Sequence, residues 1–368
     1  MTPTTTSTTA PTHVSDPQLT WEGVRTVAGL ELRQRIRTSR WIVVLSGWAV
    51  VIYGVALLSW LATAGMTEPD GGRTPAGMGT RSVVLYSVTV FFVLGLSLMV
   101  VPSLTSSSVN GDREHGVLAT LQTTLLSAQE IILGKLLASW AVAGVFLVIG
   151  LPLLVFSVAV GGIDIGTLLM AVLCLAIVLA AVCAFGLMFS TLTARPVTSA
   201  VLTYLTVGFL TAGSLVFVAV LSPLMEQQVQ RQVRVMQGYA PGDSGQQCVW
   251  VTATRTEVRT DRIWGLLAIN PFVVVADAAP GRSASRQAFE PLGGISDAVR
   301  GFRAGPPERI DECYSDPNRD PSPGQESAAP VWPYGLVALA LAGTGATAVA
   351  IRRVRTPIGR LPKGVRIA

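Results

Sequence analysis

Residues 105–135 read TSSSVNGDREHGVLATLQTTLLSAQEIILGK and stand between two long apolar runs. The stretch gathers Asp112, Arg113, Glu114 and His115, then an amphipathic pattern, then a helix-start signal. Val117, Leu118, Leu121 and Leu125 recur at helical spacing, with Thr120 and Thr123 on the other face. Ser127 and Glu130 have the spacing of a capping box, in which the hydroxyl takes one free helix N–H and the carboxylate reaches back to another. The stretch therefore predicts a short surface helix, a tight turn, and a second helix that runs directly into the next apolar run. A loop with that much structure is a surface on which another protein can dock.

The flanking runs set the class. Hydrophobic residues make up 50% of the chain and charged residues only 13%, against about a quarter charged in soluble proteins. A helix needs about 20 apolar residues to cross a hydrocarbon core of about 30 Å. Six runs meet that length, at 41–61, 82–104, 136–160, 168–189, 201–224 and 331–351. The predicted fold class is an all-α membrane protein with six transmembrane helices, five of them within 41–224. Pro152 is expected to kink the third span.

The segments around the spans differ in character. Residues 1–19, rich in Thr, Ser and Pro, read as a disordered tail. In 20–40, Trp21, Val24, Val27 and Ala28 follow helical spacing and Arg33, Arg35, Arg37 and Arg40 follow them. That pattern predicts an interfacial amphipathic helix, with an ordinary basic flank as the alternative. Ala62-Thr63-Ala64 has the form of a signal-peptidase site, but the apolar run before it is longer than a signal peptide's, so the first span reads as an uncleaved anchor. The polar region 225–330 encloses the apolar run 263–278, IWGLLAINPFVVVADA, which Asn270-Pro271 interrupts. It is too short to span and reads as a re-entrant or interfacial segment. Residues 352–368 form a basic tail. Basic flanks mark the cytoplasmic side, so an even number of spans places both termini and the 105–135 loop in the cytoplasm and 225–330 outside.

No catalytic constellation is visible. The chain has no P-loop, since Leu136 follows Gly134-Lys135, and it has no H-E-x-x-H, C-x-x-C or G-x-S-x-G. No cysteine spacing suits a metal, and there are only two histidines. A net charge of +5 needs no nucleic acid to explain it. The spans hold almost no ionisable residues from which to build an ion-coupling relay. Any energy source has to come from another subunit, and this chain is read as neither an enzyme nor a binder of metal or cofactor.

Glu114-His115-Gly116-Val117-Leu118, Leu121, Thr123-Thr124, Ser127, Glu130-Ile131 and Gly134-Lys135 resemble the signature of type-two ABC exporter permeases. Leu125 departs from it, standing where the family commonly has Pro. The resemblance extends from about Trp21 to the last span, with Asn270-Pro271-Phe272 matching the family's re-entrant element. It implies a permease subunit that exports substrate across the plasma membrane by alternating access. ATP and Mg would be bound by a separate ABC ATPase, and a second permease copy, identical or not, would complete the transporter within the lipid. It also implies that Glu114, Gly116, Leu118, Leu121, Leu125, Glu130 and Lys135 couple to the ATPase, and that spans two and five line the path. The alternative from another class is a non-transporting scaffold or sensor with an extracytoplasmic binding region.

Individual residues admit plainer readings. Asp112 and Glu114 also fit solvated loop charges, and Lys135 also fits an interface anchor. Thr203, Thr206, Thr211 and Ser214 of span five can line a path or bond their own helix. Cys174 and Cys183 lie in the fourth span, about 13 Å apart along a helix at 1.5 Å per residue, too far to bridge. Cys248 and Cys313 fall in the region placed outside, where disulfides persist, and are expected to pair.

Overall fold

In a computed structural model of the chain, the six apolar runs are helices, as they must be where no water satisfies the backbone. The structure describes residues 19–36, 39–64, 75–114, 126–237, 247–281, 290–306, 309–311 and 329–355. Helix α1 is Trp21–Ile36, α2 is Ser39–Ala64, α3 is Pro75–Thr105 and α4 is Ser108–Glu114. Helix α5, Ala128–Ala159, is the third span, and α6, Ile165–Leu192, is the fourth. The fifth span is built from α7, Pro196–Gly208, a π-turn, Phe209–Gly213, and α8, Ser214–Leu221. The chain then forms strands β1, Glu226–Gln237, and β2, Gln247–Val258, before two short helices, α9, Trp264–Ala268, and α10, Pro271–Ala278. Helix α11, Pro291–Ala304, strand β3, Arg309–Asp311, and the sixth span α12, Trp332–Val354, complete the described order.

Helix α6 is the axis of the bundle, packing against α3, α5, α7, α10 and α12. It is apolar all round, the composition of a membrane span; Cys174, Leu175, Val178, Leu179 and Cys183 are at most 1% exposed, while Leu169 and Leu173 leave one side of its first half open. Tyr86 of α3 and Phe146 of α5 are buried in the same core. Trp48 fastens α2 to α5, stacking on Phe146 with ring centroids 4.5 Å apart and donating its indole N–H to the Phe146 carbonyl at 3.2 Å. Ile42, Val43, Val50 and Leu58 of α2, and Val197, Leu205, Val216 and Val220 of the fifth span, face outward. For membrane helices those are lipid- or partner-facing surfaces.

Three features differ from the reading of the sequence. The polar region holds an antiparallel hairpin in which Glu226 pairs with Val258 and Gln237 with Gln247, and β3 adds in parallel to β1. Val229, Val233 and Val235 alternate along β1 with exposed Gln228, Gln230 and Gln232, which gives a period of two without an overtly hydrophobic strand. The same region has its own apolar cluster, in which Ile263, Leu267, Val273, Val299 and Val331 close against Val218. In α1, Val24, Val27 and Ala28 face inward as expected, but Trp21 is 66% exposed.

Candidate functional site at the entry to the third span

The predicted capping box is present. Ser127 Oγ accepts from the Glu130 N–H at 3.2 Å, and Glu130 Oε2 accepts from the Ser127 N–H at 2.7 Å. The other carboxylate oxygen accepts from the Thr20 N–H at 2.8 Å and from the Thr20 hydroxyl. Glu130 thus fastens the start of α1 to the start of α5. Glycine makes the approach possible. A Cβ at Gly134 would stand 2.6 Å from Val27 Cβ, and one at Gly23 would stand 2.5 Å from Glu130 Oε1. With Val24 and Val27 at 2% and 3% exposure, α1 seats its apolar stripe on α5, a contribution of roughly 1.5–3 kcal/mol for each valine buried.

One turn further along α5, Lys135 is 2% exposed. Its ammonium pairs with Glu31 of α1, with Asp112 of α4 at 2.6 Å, and donates to the Ser108 carbonyl at 3.2 Å. Lys135 is therefore no exposed interface anchor, and Asp112 is not merely a solvated loop charge. A buried ammonium has three donors to satisfy, and here one acceptor comes from α1 and two from α4. Arg35 extends the cluster, 3.7 Å from Glu31 and donating to the Leu104 carbonyl at 3.1 Å, at the end of α3. Asp112 and Glu114 lie on a helical turn, because Ser190 of α6 takes two of the free N–H groups of α4, from Val109 at 3.0 Å and Asn110 at 3.2 Å. The junction thus joins α1, α3, α4, α5 and α6 at one end of the bundle.

The remaining predicted residues fall as follows. Glu114 is exposed at the end of α4. Gly116, Leu118, Leu121 and Leu125, with the expected surface helix over 117–125, lie outside the described residues. Asn270 caps α10, accepting from the Phe272 N–H at 2.9 Å, with Pro271 in the first turn. The Asn270 amide also donates to the Thr211 carbonyl and to Ser214 Oγ, both at 2.9 Å, at the π-turn of span five. Phe272 stacks on Phe91 with centroids 4.8 Å apart. The hydroxyls of Thr203, Thr206, Thr211 and Ser214 each donate to the carbonyl four residues back in their own helix.

Cys174 and Cys183 are free and buried, while Cys248 is disulfide-bonded. Cys313 lies outside the described residues. In the sheet, Cys248 stands opposite Met236 on one side of β1, and Asp311 stands opposite Arg234 on the other.

Thr20, Glu31 and Asp277 were not singled out from the sequence. Glu31 falls on the stripe of Val24, Val27 and Ala28, one helical repeat on, and that spacing was available to be read. Asp277 sits in the apolar 263–278 run, where an ionisable residue itself signals a role. Its Oδ1 accepts from Ser296 at 3.0 Å and Arg300 at 2.5 Å, and its Oδ2 from the N–H groups of Val331 and Trp332 at 2.6 and 2.8 Å. One buried carboxylate thereby binds α10, α11 and the start of α12 together. At the foot of the hairpin, Asp261 accepts from Arg259 at 2.9 and 2.8 Å, and these bonds hold its carboxyl below the usual range.

Among the described residues no group of acidic, cysteine or histidine side chains is placed to hold a metal. No curated protein matches the chain. Residues 72–236, from the segment before α3 through β1, match the family model described as ABC-2 family transporter protein. Set among six membrane-length helices, that match, over somewhat less than half of the chain, makes it a multi-pass membrane protein similar in that segment to ABC-2 family transporter proteins, and it supports a permease subunit of an ABC transporter.

Proposed function

We propose that the chain is an exporter permease that moves its substrate out across the plasma membrane by alternating access, driven by ATP hydrolysis in a separate ATPase subunit that holds the ATP and Mg. Two permease copies, identical or not, would form the membrane part. Both termini and the 105–135 loop would face the cytoplasm, and the hairpin with α9–α11 would face outside.

The single observation that carries this reading is the junction at the entry to α5. A docked ATPase moves a span only through a stiff connection. The Glu130 cap and the Lys135 pairs supply one, joining the loop between spans two and three to α1, α3 and α6. The residues around 114–125 would meet the ATPase, and the junction would pass their displacement into the third span. The path would run along spans two and five. In span five the π-turn departs from regular helix geometry beside Asn270, and such turns recur at functional sites.

The full chain, extracted from its membrane under mild conditions, is expected to bring down a subunit that hydrolyses ATP. Single cysteines at Ser107 and Arg355 should be protected from an impermeant reagent in intact cells, and one at Gln246 should be labelled. Labelling of position 355 from outside, or a preparation without ATP hydrolysis, contradicts the proposal.

A further inference from the structure

Beside the charged junction lies a cavity of about 380 Å³, walled by Glu31 and Arg35 of α1, Trp41 and Val44 of α2, Ser107, and Asp112 of α4. Small-ligand sites run to about 300–1,000 Å³. Its level in the membrane follows from α2, whose membrane-length apolar segment begins at Trp41. Tryptophan at the end of a span sits among lipid headgroups. Val44, in the cavity wall, is 42% exposed, and its neighbours Ile42 and Val43 are 65% and 71% exposed. The cavity wall therefore runs on into the lipid-facing surface of α2.

The charges select the occupant. Arg35 and Lys135 balance Glu31 and Asp112, so the cluster is neutral overall but carries both signs at its surface. Lys135 is sealed behind the two carboxylates at 2% exposure, whereas the side chains of Arg35, Glu31 and Asp112 keep 17%, 14% and 23%. A ligand with a lone negative charge would meet two carboxylates, and one with a lone positive charge would meet the guanidinium. A zwitterion satisfies both. Guanidinium recognises phosphate, and a primary ammonium offers three donors to carboxylates. A quaternary ammonium offers none.

We propose that this cavity binds a phosphoethanolamine group, its phosphate toward Arg35 and its ammonium toward Asp112 and Glu31. The group would be the head of a membrane lipid whose acyl chains follow α2 from Val44. Bound there, the lipid would bridge α1, α2 and α4 at the junction. The proposal does not depend on ATPase docking, because lipid retention is read on the permease alone.

The test places the full chain in nanodiscs of equal parts phosphatidylethanolamine, phosphatidylcholine and phosphatidylglycerol with matched acyl chains, and measures the lipid kept after detergent exchange by mass spectrometry. Phosphatidylethanolamine should be enriched by roughly tenfold, the ratio that about 1.4 kcal/mol produces. Ser107→Trp fills the cavity without altering any of the four charges and should remove the enrichment. Val44→Trp, from another wall, is the independent second variant. In nanodiscs of phosphatidylcholine alone, soluble phosphoethanolamine is added as a competitor for hydrogen-exchange protection around Ser107. Protection by the soluble group without enrichment of the lipid keeps the chemistry and overturns the lipid source. Retained lipid that mirrors the bulk mixture with no effect of the soluble group overturns the proposal, as does enrichment unchanged in both tryptophan variants.

Discussion

Replacing Lys135 with methionine tests whether the junction is held by its ion pairs. The substitution keeps most of the side-chain volume and removes the charge, which leaves Glu31 and Asp112 facing each other across the vacated position. Removing one partner of a buried pair costs about 3–5 kcal/mol. Here the two carboxylates keep 14% and 23% exposure and can partly rehydrate, which favours the lower end, about 3 kcal/mol. The Ser108 carbonyl also loses its side-chain donor. At 1.4 kcal/mol for each factor of ten, undocking of α1 from α5 should become roughly 100-fold more frequent. Amide hydrogen exchange resolves such local opening from global unfolding. The amides of α1 should lose about that factor in protection, while those at the centre of α6 stay unchanged. Removing the stranded charges as well, in Lys135→Met with Glu31→Gln and Asp112→Asn, should recover most of the loss, because an all-neutral site carries no unpaired ion. Protection of α1 that does not change in the single variant, or a triple variant as damaged as the single, would refute the argument.

Three further outcomes are expected. Asp277→Ala strips four hydrogen bonds from one buried point and leaves Arg300 without its carboxylate. It should destabilise the α10–α12 region by about 3–5 kcal/mol, read as hydrogen exchange in α11 and at the start of α12, while exchange in α1 stays as before. Peptide mapping without reductant should recover Cys248 joined to Cys313, a crosslink that contributes ~4 kcal/mol in the chain-entropy model, and an alkylated free Cys313 would contradict the pairing. The hairpin foot should loosen in acid. The folded carboxyl of Asp261 titrates below its unfolded value, so its contribution is fully present above about pH 3.9 and is lost as pH falls through the folded value. Asp261→Asn should abolish that pH dependence in the exchange of Val258 and Arg259.

The spans were legible because a bilayer imposes a length and composition that few other structures need. The capping box was legible because Ser127 and Glu130 lie three residues apart, and a local motif needs no knowledge of the fold. The two bonds that Glu130 accepts from Thr20, and the pairing of Lys135 with Glu31, are long-range. They depend on how α1 docks, and only the stripe through Val24, Val27, Ala28 and Glu31 hints at it. The hairpin escaped notice because its inward side carries Val229, Arg231, Val233 and Val235 among glutamines, so the period of two is present at low hydrophobicity. Asp277 is not legible locally, because the only break in its run is at Asn270-Pro271. Its four partners come from positions 296 to 332, which no local pattern connects to it.

The docking residues give the most direct measurement. On the proposed function, the apolar side of the 114–125 segment would meet the ATPase, with Leu118 and Leu121 at its centre. In the Leu118→Asp, Leu121→Asp double variant, the full chain should reach the membrane at its normal level and keep the exchange protection of α1. It should purify without the ATP-hydrolysing subunit that accompanies the unaltered chain. A double variant that retains that subunit at the unaltered ratio would contradict the claim that this loop couples the permease to its energy source.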